Sequence, residues 1–279
     1  MIKDILLPFS GNPGDMAALD TAMALTESSE AHLAILVVVP LFTPLAFEWG
    51  AIPVDVYSRV HDEARAQARI TTARIRERLN ARAMHAEVRV VESQVLGASR
   101  VATLHARHAD IAIVASPARD EASPVADGVF MDLLMDSGRP VLAVPPQAKT
   151  GPTFRHAVVA WQTTRESTRA LHDALPLLKL MESADVLMID PIAADNEHGD
   201  QPGADIATHL ARHGLKVQVV AAPSLGEPVE VALLRHAVES GADLVVAGGY
   251  SHSRWRQALF GGATRTLLES APMPVLFSR

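Results

Sequence analysis

The chain has 279 residues, 48% hydrophobic and 20% charged, a composition typical of a globular protein that is long enough for two domains. Its net charge of −7 argues against nucleic acid or an anionic membrane as the main partner, because both require a basic surface. The absence of cysteine excludes disulfides, thiolate zinc sites and cysteine nucleophiles. A signal-peptide pattern and a membrane-spanning apolar run are also absent, so we expect a cytoplasmic protein.

Apolar strand patterns alternate with helical patterns along the whole chain. In the first half they predict strands at 4–9, 33–39, 88–92, 111–115 and 141–144, and helices at 14–28, 56–82, 98–108 and 129–137. In the second half they predict strands at 157–161, 186–189, 217–220, 244–247 and 275–277, and helices at 166–181, 203–213, 228–240 and 263–270. This alternation indicates five-stranded parallel sheets covered by helices on both faces.

The second half repeats the first. Ala109-Asp-Ile-Ala-Ile-Val-Ala115 matches Ala242-Asp-Leu-Val-Val-Ala-Gly248. Between the two copies, residues 145–152 are rich in Pro and Gly, which indicates an exposed linker. We therefore expect two domains, 1–146 and 153–279.

Two pairs of glycines lie near the end of the second copy. Gly248 and Gly249 follow a buried strand, and Gly261 and Gly262 precede a helix. A glycine at a strand end lets the backbone approach a ligand, and unpaired N–H groups at a helix start point towards an anion. The pattern favours a phosphate site over a tight turn without a ligand.

The spacing of these glycines resembles the nucleotide motif of the universal stress protein family: Gly, two residues, Gly, nine residues, then Gly followed by Ser or Thr. Gly248 and Gly261 take the first and third glycine positions. Ser251 replaces the middle glycine, and Gly262 stands where Ser or Thr is expected, with Thr264 as a substitute hydroxyl donor.

The resemblance covers nearly the whole chain. It implies two tandem Rossmann-like or flavodoxin-like domains of the adenine nucleotide alpha hydrolase-like type. It implies phosphate binding from Gly261 to Ala263 and Thr264. In the intervening loop, His252 and Arg254 are candidates to neutralise phosphate charge, although a solvated basic loop is the alternative for both.

The family places an acidic residue after its first strand and main-chain adenine contacts after its second. By alignment these positions fall on Gln162 and near Ile189. In the first copy, Ala115 stands at the position of Gly248, Asp127 at that of Gly261 and Phe130 at that of Thr264. A carboxylate at a helix start competes with phosphate for the same N–H groups, so we expect no ATP binding in the first copy.

These residues favour a stress-response protein that senses an adenine nucleotide, ATP with or without Mg²⁺, and presents a nucleotide-dependent surface to an unidentified protein partner. The alternatives are a scaffold with a decayed motif and a slow ATP hydrolase. No catalytic Ser/His/Asp set or P-loop is present, so no catalytic residue is assigned.

The helical pairs His105 with His108 and His209 with His213 are interpreted as surface histidines, and no metal site is predicted. The last strand of each copy is apolar and is expected at a sheet edge, which invites pairing. Single-domain members of the family dimerise through this strand, so the resemblance implies that the two copies mimic that dimer within one chain. Dimerisation of the whole chain stays open.

Overall fold

The computed structural model describes residues 1–9, 12–41, 54–94, 97–117, 124–148, 154–191, 203–249 and 262–279. Within these residues ten strands alternate with eight helices. The strands are β1 Asp4–Phe9, β2 His32–Leu41, β3 Glu87–Gln94, β4 Ile111–Ala115, β5 Val141–Val144, β6 His156–Ala160, β7 Ser183–Ile189, β8 Val217–Ala222, β9 Leu244–Gly248 and β10 Val275–Ser278. The helices are α1 Asp15–Ser29, α2 Val54–Ala81, α3 Ala98–Ala106, α4 Pro124–Asp136, α5 Arg165–Leu178, α6 Ala204–Arg212, α7 Val229–Glu239 and α8 Gly262–Ser270.

Each predicted strand and helix corresponds to one of these elements, and most bounds agree within three residues. The largest difference is α4, which was predicted to begin at residue 129 and begins at Pro124. Proline suits the first helical position because its missing N–H has no intrahelical partner there and its fixed φ is helical.

The strands form one sheet in the order β3-β2-β1-β4-β5-β10-β9-β6-β7-β8. Pairing is parallel within each half, which confirms the predicted α/β class. The two halves meet where β5 and β10 pair antiparallel, with Leu142 opposite Leu276. The two apolar last strands therefore satisfy each other's edges in the middle of a continuous ten-stranded sheet.

Helices cover both faces of this sheet. Side chains of α1, α2, α5 and α6 pack into one core, which contains Leu19, Ile75, Leu171 and Leu210. Side chains of α3, α4, α7 and α8 pack into the other, which contains Ala102, Leu133, Leu233 and Leu268. Successive strand residues point to opposite faces, so a strand between two helical layers must be apolar at every position, as β4 and β5 are.

The repeated Ala-Asp pair before β4 and β9 has the same structural role in each half. The Asp110 carboxylate accepts hydrogen bonds from the backbone N–H groups of Lys3 at 2.7 Å and Asp4 at 3.1 Å. In the second half, Asp243 accepts from the N–H groups of Arg155 at 2.8 Å and His156 at 3.2 Å. Each aspartate thus fixes the start of the first strand of its own half, β1 or β6.

Candidate functional site

The carboxyl ends of β6 and β9 lie side by side in the second half. β7 pairs with β6 on one side and β9 pairs with it on the other, so the strand order reverses between β6 and β9. In α/β sheets the crevice at such a reversal is where ligands bind. Gln162 follows β6 by two residues and is exposed, and Gly248 ends β9. The fold therefore brings these two predicted site residues to the ends of adjacent strands.

Gly248 packs directly against the first turn of α5. Thr164 caps this helix, and its hydroxyl oxygen accepts a hydrogen bond from the Ser167 N–H at 3.2 Å. A Cβ atom on Gly248 would lie 2.8 Å from the carbonyl carbon of Glu166 and 2.9 Å from the nitrogen of Ser167. The sequence predicted a close approach at this glycine, and in the structure the approaching group is a helix. The positive end of the α5 dipole consequently lies at the crevice.

Gly249 makes a backbone hydrogen bond and a close packing contact within the protein. Its N–H donates to the Ser278 carbonyl at 2.8 Å, which extends the β9–β10 ladder by one bond. An added Cβ would lie 2.9 Å from Cδ2 of Leu134, which belongs to α4 in the first half. This amide therefore has its acceptor within the sheet and is not available to a phosphate.

Among the described residues, no atom covers the start of α8. Gly262 and Ala263 are exposed, and a Cβ on Gly262 would meet no described atom within 4 Å. The first turn contains no acidic residue that would compete with an anion. Thr264, the predicted hydroxyl donor, is only 6% exposed. Because the first amides of a helix have no intrahelical acceptor, this end of α8 can bind an anion. The predicted residues Ser251, His252, Arg254 and Gly261 lie outside the described residues.

Polar groups also gather where β7 ends. Ile189, the last residue of the strand, is half-buried. The Asp190 N–H donates to the Ala222 carbonyl at 3.0 Å, and the Asp190 carboxylate accepts from the Ser224 N–H at 3.0 Å. Hydrogen bonds from the hydroxyl and the N–H of Ser224 lower the pKa of Asp190. Main-chain recognition of a base at this strand end would thus use groups other than the Asp190 N–H.

The sequence interpretation did not include Glu166. This half-buried acid lies in the first turn of α5. A Cβ on Gly248 would lie 3.0 Å from the Cβ of Glu166. The available signal was a threonine cap followed by an acid in the first turn, which identifies a helix start but not its position in the crevice.

The comparison with protein families identifies the second half. Residues 153–279 match the model of the universal stress protein family. This half is a universal stress protein domain. The resemblance found in the sequence is confirmed, although no curated protein matches the chain significantly.

Solved universal stress proteins share the fold of the whole chain. One from Archaeoglobus fulgidus is 17% identical, covers 99% of this chain and 98% of its own, and superposes with a TM-score of 0.73. Another from Pseudomonas aeruginosa is 16% identical, covers 99% and 93%, and has a TM-score of 0.56. A universal stress protein in complex with cAMP is 20% identical over 51% of this chain and 97% of its own, but its TM-score of 0.36 is too low to say anything about ligands here. At these identities the likeness shows the fold alone.

The first half differs from the universal stress protein domain at the helix that corresponds to α8. The repeat aligns Gly128 with Gly262, yet Gly262 begins α8 and Gly128 is the fifth residue of α4. Helix amides beyond the first four donate to carbonyls within the helix, so the amides equivalent to the open end of α8 are not free in α4. The prediction that Asp127 lies at a helix start is wrong, because α4 begins three residues earlier.

A helix start and a strand end also pack closely in the first half. A Cβ on Gly14 would lie 3.2 Å from Cβ of Ala115 and 3.2 Å from Cγ of Pro146. In the second half the glycine is on the strand side, at Gly248, whereas in the first half it is on the helix side. In both halves a helix start thus packs against a strand end, and the contact requires a glycine on only one of the two elements.

Among the described helices none combines the length and the apolar character that crossing a membrane requires.

Proposed function

We propose that the universal stress protein domain binds an adenine nucleotide, specifically ATP, at the carboxyl ends of β6 and β9. The observation that carries this proposal is the open start of α8, where Gly262 and Ala263 are exposed and the first turn contains no acid. Rossmann-like folds bind phosphates at such helix starts, because unpaired N–H groups and the helix dipole both favour negative charge.

In the proposed site the phosphates bind at the second glycine pair, at the start of α8, and not at the first pair, at the end of β9. The Gly249 N–H already has its acceptor in Ser278, so the phosphates lie over the α8 amides of Gly262 and Ala263. Gly262 has no Cβ to obstruct them, and among the described residues no atom would come within 4 Å of a Cβ at this position. Mg²⁺, when bound with the nucleotide, neutralises phosphate charge that this acidic protein would otherwise repel.

The nucleoside occupies the other side of the crevice. Gln162 is exposed next to the end of β9, where its amide has both a donor and an acceptor for ribose or base. Ile189, half-buried at the end of β7, supplies an apolar surface for the adenine ring. In this proposal Arg254 binds the phosphates, together with His252 and Ser251 of the same loop, and Gly261 precedes the anion site. The nucleotide-bound domain then presents a surface to a protein partner.

A scaffold without nucleotide is the second candidate. Two backbone N–H groups near the crevice, those of Gly249 and Asp190, already donate to strand carbonyls. In that case the same fold supports a partner surface without a ligand switch.

Thermal unfolding with and without Mg-ATP, Mg-ADP and AMP distinguishes these two candidates. A ligand that binds only the native state and is present at about 100 times its Kd stabilises that state by about 2.7 kcal/mol, so Tm should rise by several degrees. Mg²⁺ alone and Mg-GTP serve as controls for ionic and unspecific effects. An unchanged Tm with every adenine nucleotide at millimolar concentration would favour the scaffold.

A further inference from the structure

We propose that His172, His209 and His213 form a binding site for a divalent transition-metal ion such as Zn²⁺, at the contact between α5 and α6. The sequence shows only the pair His209, in the last turn of α6, and His213, which directly follows that helix. The fold adds His172 from α5, and this histidine cluster lies apart from the crevice proposed to bind nucleotide.

Two ring separations in the cluster suit a common metal ion. The ring centres of His172 and His209 are 5.2 Å apart, and those of His209 and His213 are 4.7 Å apart. Two imidazoles bound tetrahedrally at Zn–N distances of about 2.0–2.1 Å have ring centres roughly 5 Å apart. His213 caps α6 four residues after His209, which matches the sequence spacing of paired histidines in helical zinc sites.

The hydrogen bonds leave suitable nitrogen atoms for a metal. The Nδ1–H of His172 donates to the Thr168 carbonyl at 2.8 Å, so the free lone pair of this ring is on Nε2. A histidine that binds metal through one nitrogen and donates the other N–H to a carbonyl is the usual arrangement. The Nε2 atom of His209 is buried and makes no hydrogen bond to any described residue. Burial of an unsatisfied polar atom is unfavourable, and a metal ion would satisfy it.

The site is not yet closed in this structure. Among the described side chains no three His, Asp or Glu groups already converge on a point that could hold a metal ion. Because the bond to Thr168 already fixes the His172 ring, rotation of the His209 and His213 imidazoles about their side-chain torsions is the change required. Arg212 on the same helix opposes a cation, whereas the exposed carboxylate of Asp205, one turn before His209, favours it.

Zn²⁺ titration of the untagged full-length chain, without nucleotide or phosphate, tests this site. We expect one Zn²⁺ per chain, measured by calorimetry or by competition with a chromophoric chelator. His172→Gln and His213→Gln should each weaken binding by at least about 10-fold, since even the loss of an outer-shell partner weakens metal sites by about 10–100-fold. The cluster is at the surface, so both variants should keep the wild-type circular dichroism spectrum and Tm without metal.

His108→Gln is the matched control, because it removes a histidine from the first half and should leave Zn²⁺ affinity unchanged. Co²⁺ bound to the wild-type protein should show the intense visible absorption of tetrahedral coordination. Absence of binding would overturn the proposal. Loss of affinity in His213→Gln but not in His172→Gln would also overturn it, since only a two-histidine chelate of His209 and His213 would remain.

Discussion

Phe277→Ala is expected to lower the free energy of unfolding by about 3–5 kcal/mol, the range for a fully buried phenylalanine. Phe277 is 0% exposed and lies opposite Val141 in the antiparallel pair that joins the two halves. Its ring meets Phe130 of α4 edge to face, with centres 5.4 Å apart and planes at 76°. Truncation thus removes buried area and leaves a cavity at the junction between the halves. Urea unfolding measures the loss.

Two controls separate this junction from general sensitivity to truncation. Phe277→Leu keeps most of the buried volume. Its loss of unfolding free energy should be the sum of less than about 1.5 kcal/mol for the change of shape and about 0.5–1.5 kcal/mol for the lost aromatic contact. Val238→Ala, at a side chain 57% exposed on α7, should change stability by no more than about 0.5 kcal/mol. A loss for Phe277→Ala as small as that for Val238→Ala would contradict the packing of β10 against β5 and α4.

Gly248→Ala is expected to destabilise the protein by about 2–3 kcal/mol, because overpacking into a rigid environment is unfavourable. The added Cβ would lie 2.8 Å and 2.9 Å from backbone atoms of Glu166 and Ser167. These atoms belong to the capped first turn of α5, which can move only with the helix. The loss should appear as a lower urea midpoint with an unchanged slope.

Gly262→Ala is the matched substitution on the other side of the crevice. It introduces the same methyl group where no described atom lies within 4 Å, at the first residue of α8. A helical Gly→Ala change in open space is neutral or stabilises by up to about 1 kcal/mol. Equal destabilisation by the two substitutions would show that the Gly248 contact with α5 is not what makes that glycine necessary.

The order of elements was predictable because buried parallel strands and their covering helices have distinct patterns. β4 and β9 are apolar runs that each follow an aspartate, and strands buried on both faces read as such continuous apolar runs. The start of α4 was less readable. By alignment with α8, the repeat predicted a helix start at residue 129. The structural start is Pro124, five residues earlier, where a proline at the first helical position is the available signal.

The role of each glycine was not predictable from sequence. A missing Cβ permits close approach by a ligand, a helix or another half of the protein, and the sequence pattern is the same in all three cases. At Gly248 the approaching group is α5, at Gly249 it includes Leu134 from the first half, and at Gly262 no described atom would lie within 4 Å of a Cβ. Only the structure separates these three cases.

Contacts between distant segments were equally hidden. His172 joins His209 and His213 because α5 and α6 cover the same face of the sheet, and this packing has no local signal in the sequence. Glu166 reaches the crevice for the same reason, through the packing of α5 against β9. The repeat revealed the fold, while these side-chain groupings required the fold in three dimensions.

Equilibrium binding of Mg-ATP to Gly262→Leu and Gly128→Leu tests the central claim most directly. The two glycines are aligned in the repeat, and a Cβ at either would meet no described atom within 4 Å, so both variants should fold. If the α8 amides hold the phosphates, Gly262→Leu should lose ATP binding while Gly128→Leu keeps the wild-type affinity. Wild-type affinity in Gly262→Leu, with its Tm unchanged, would contradict the proposed site.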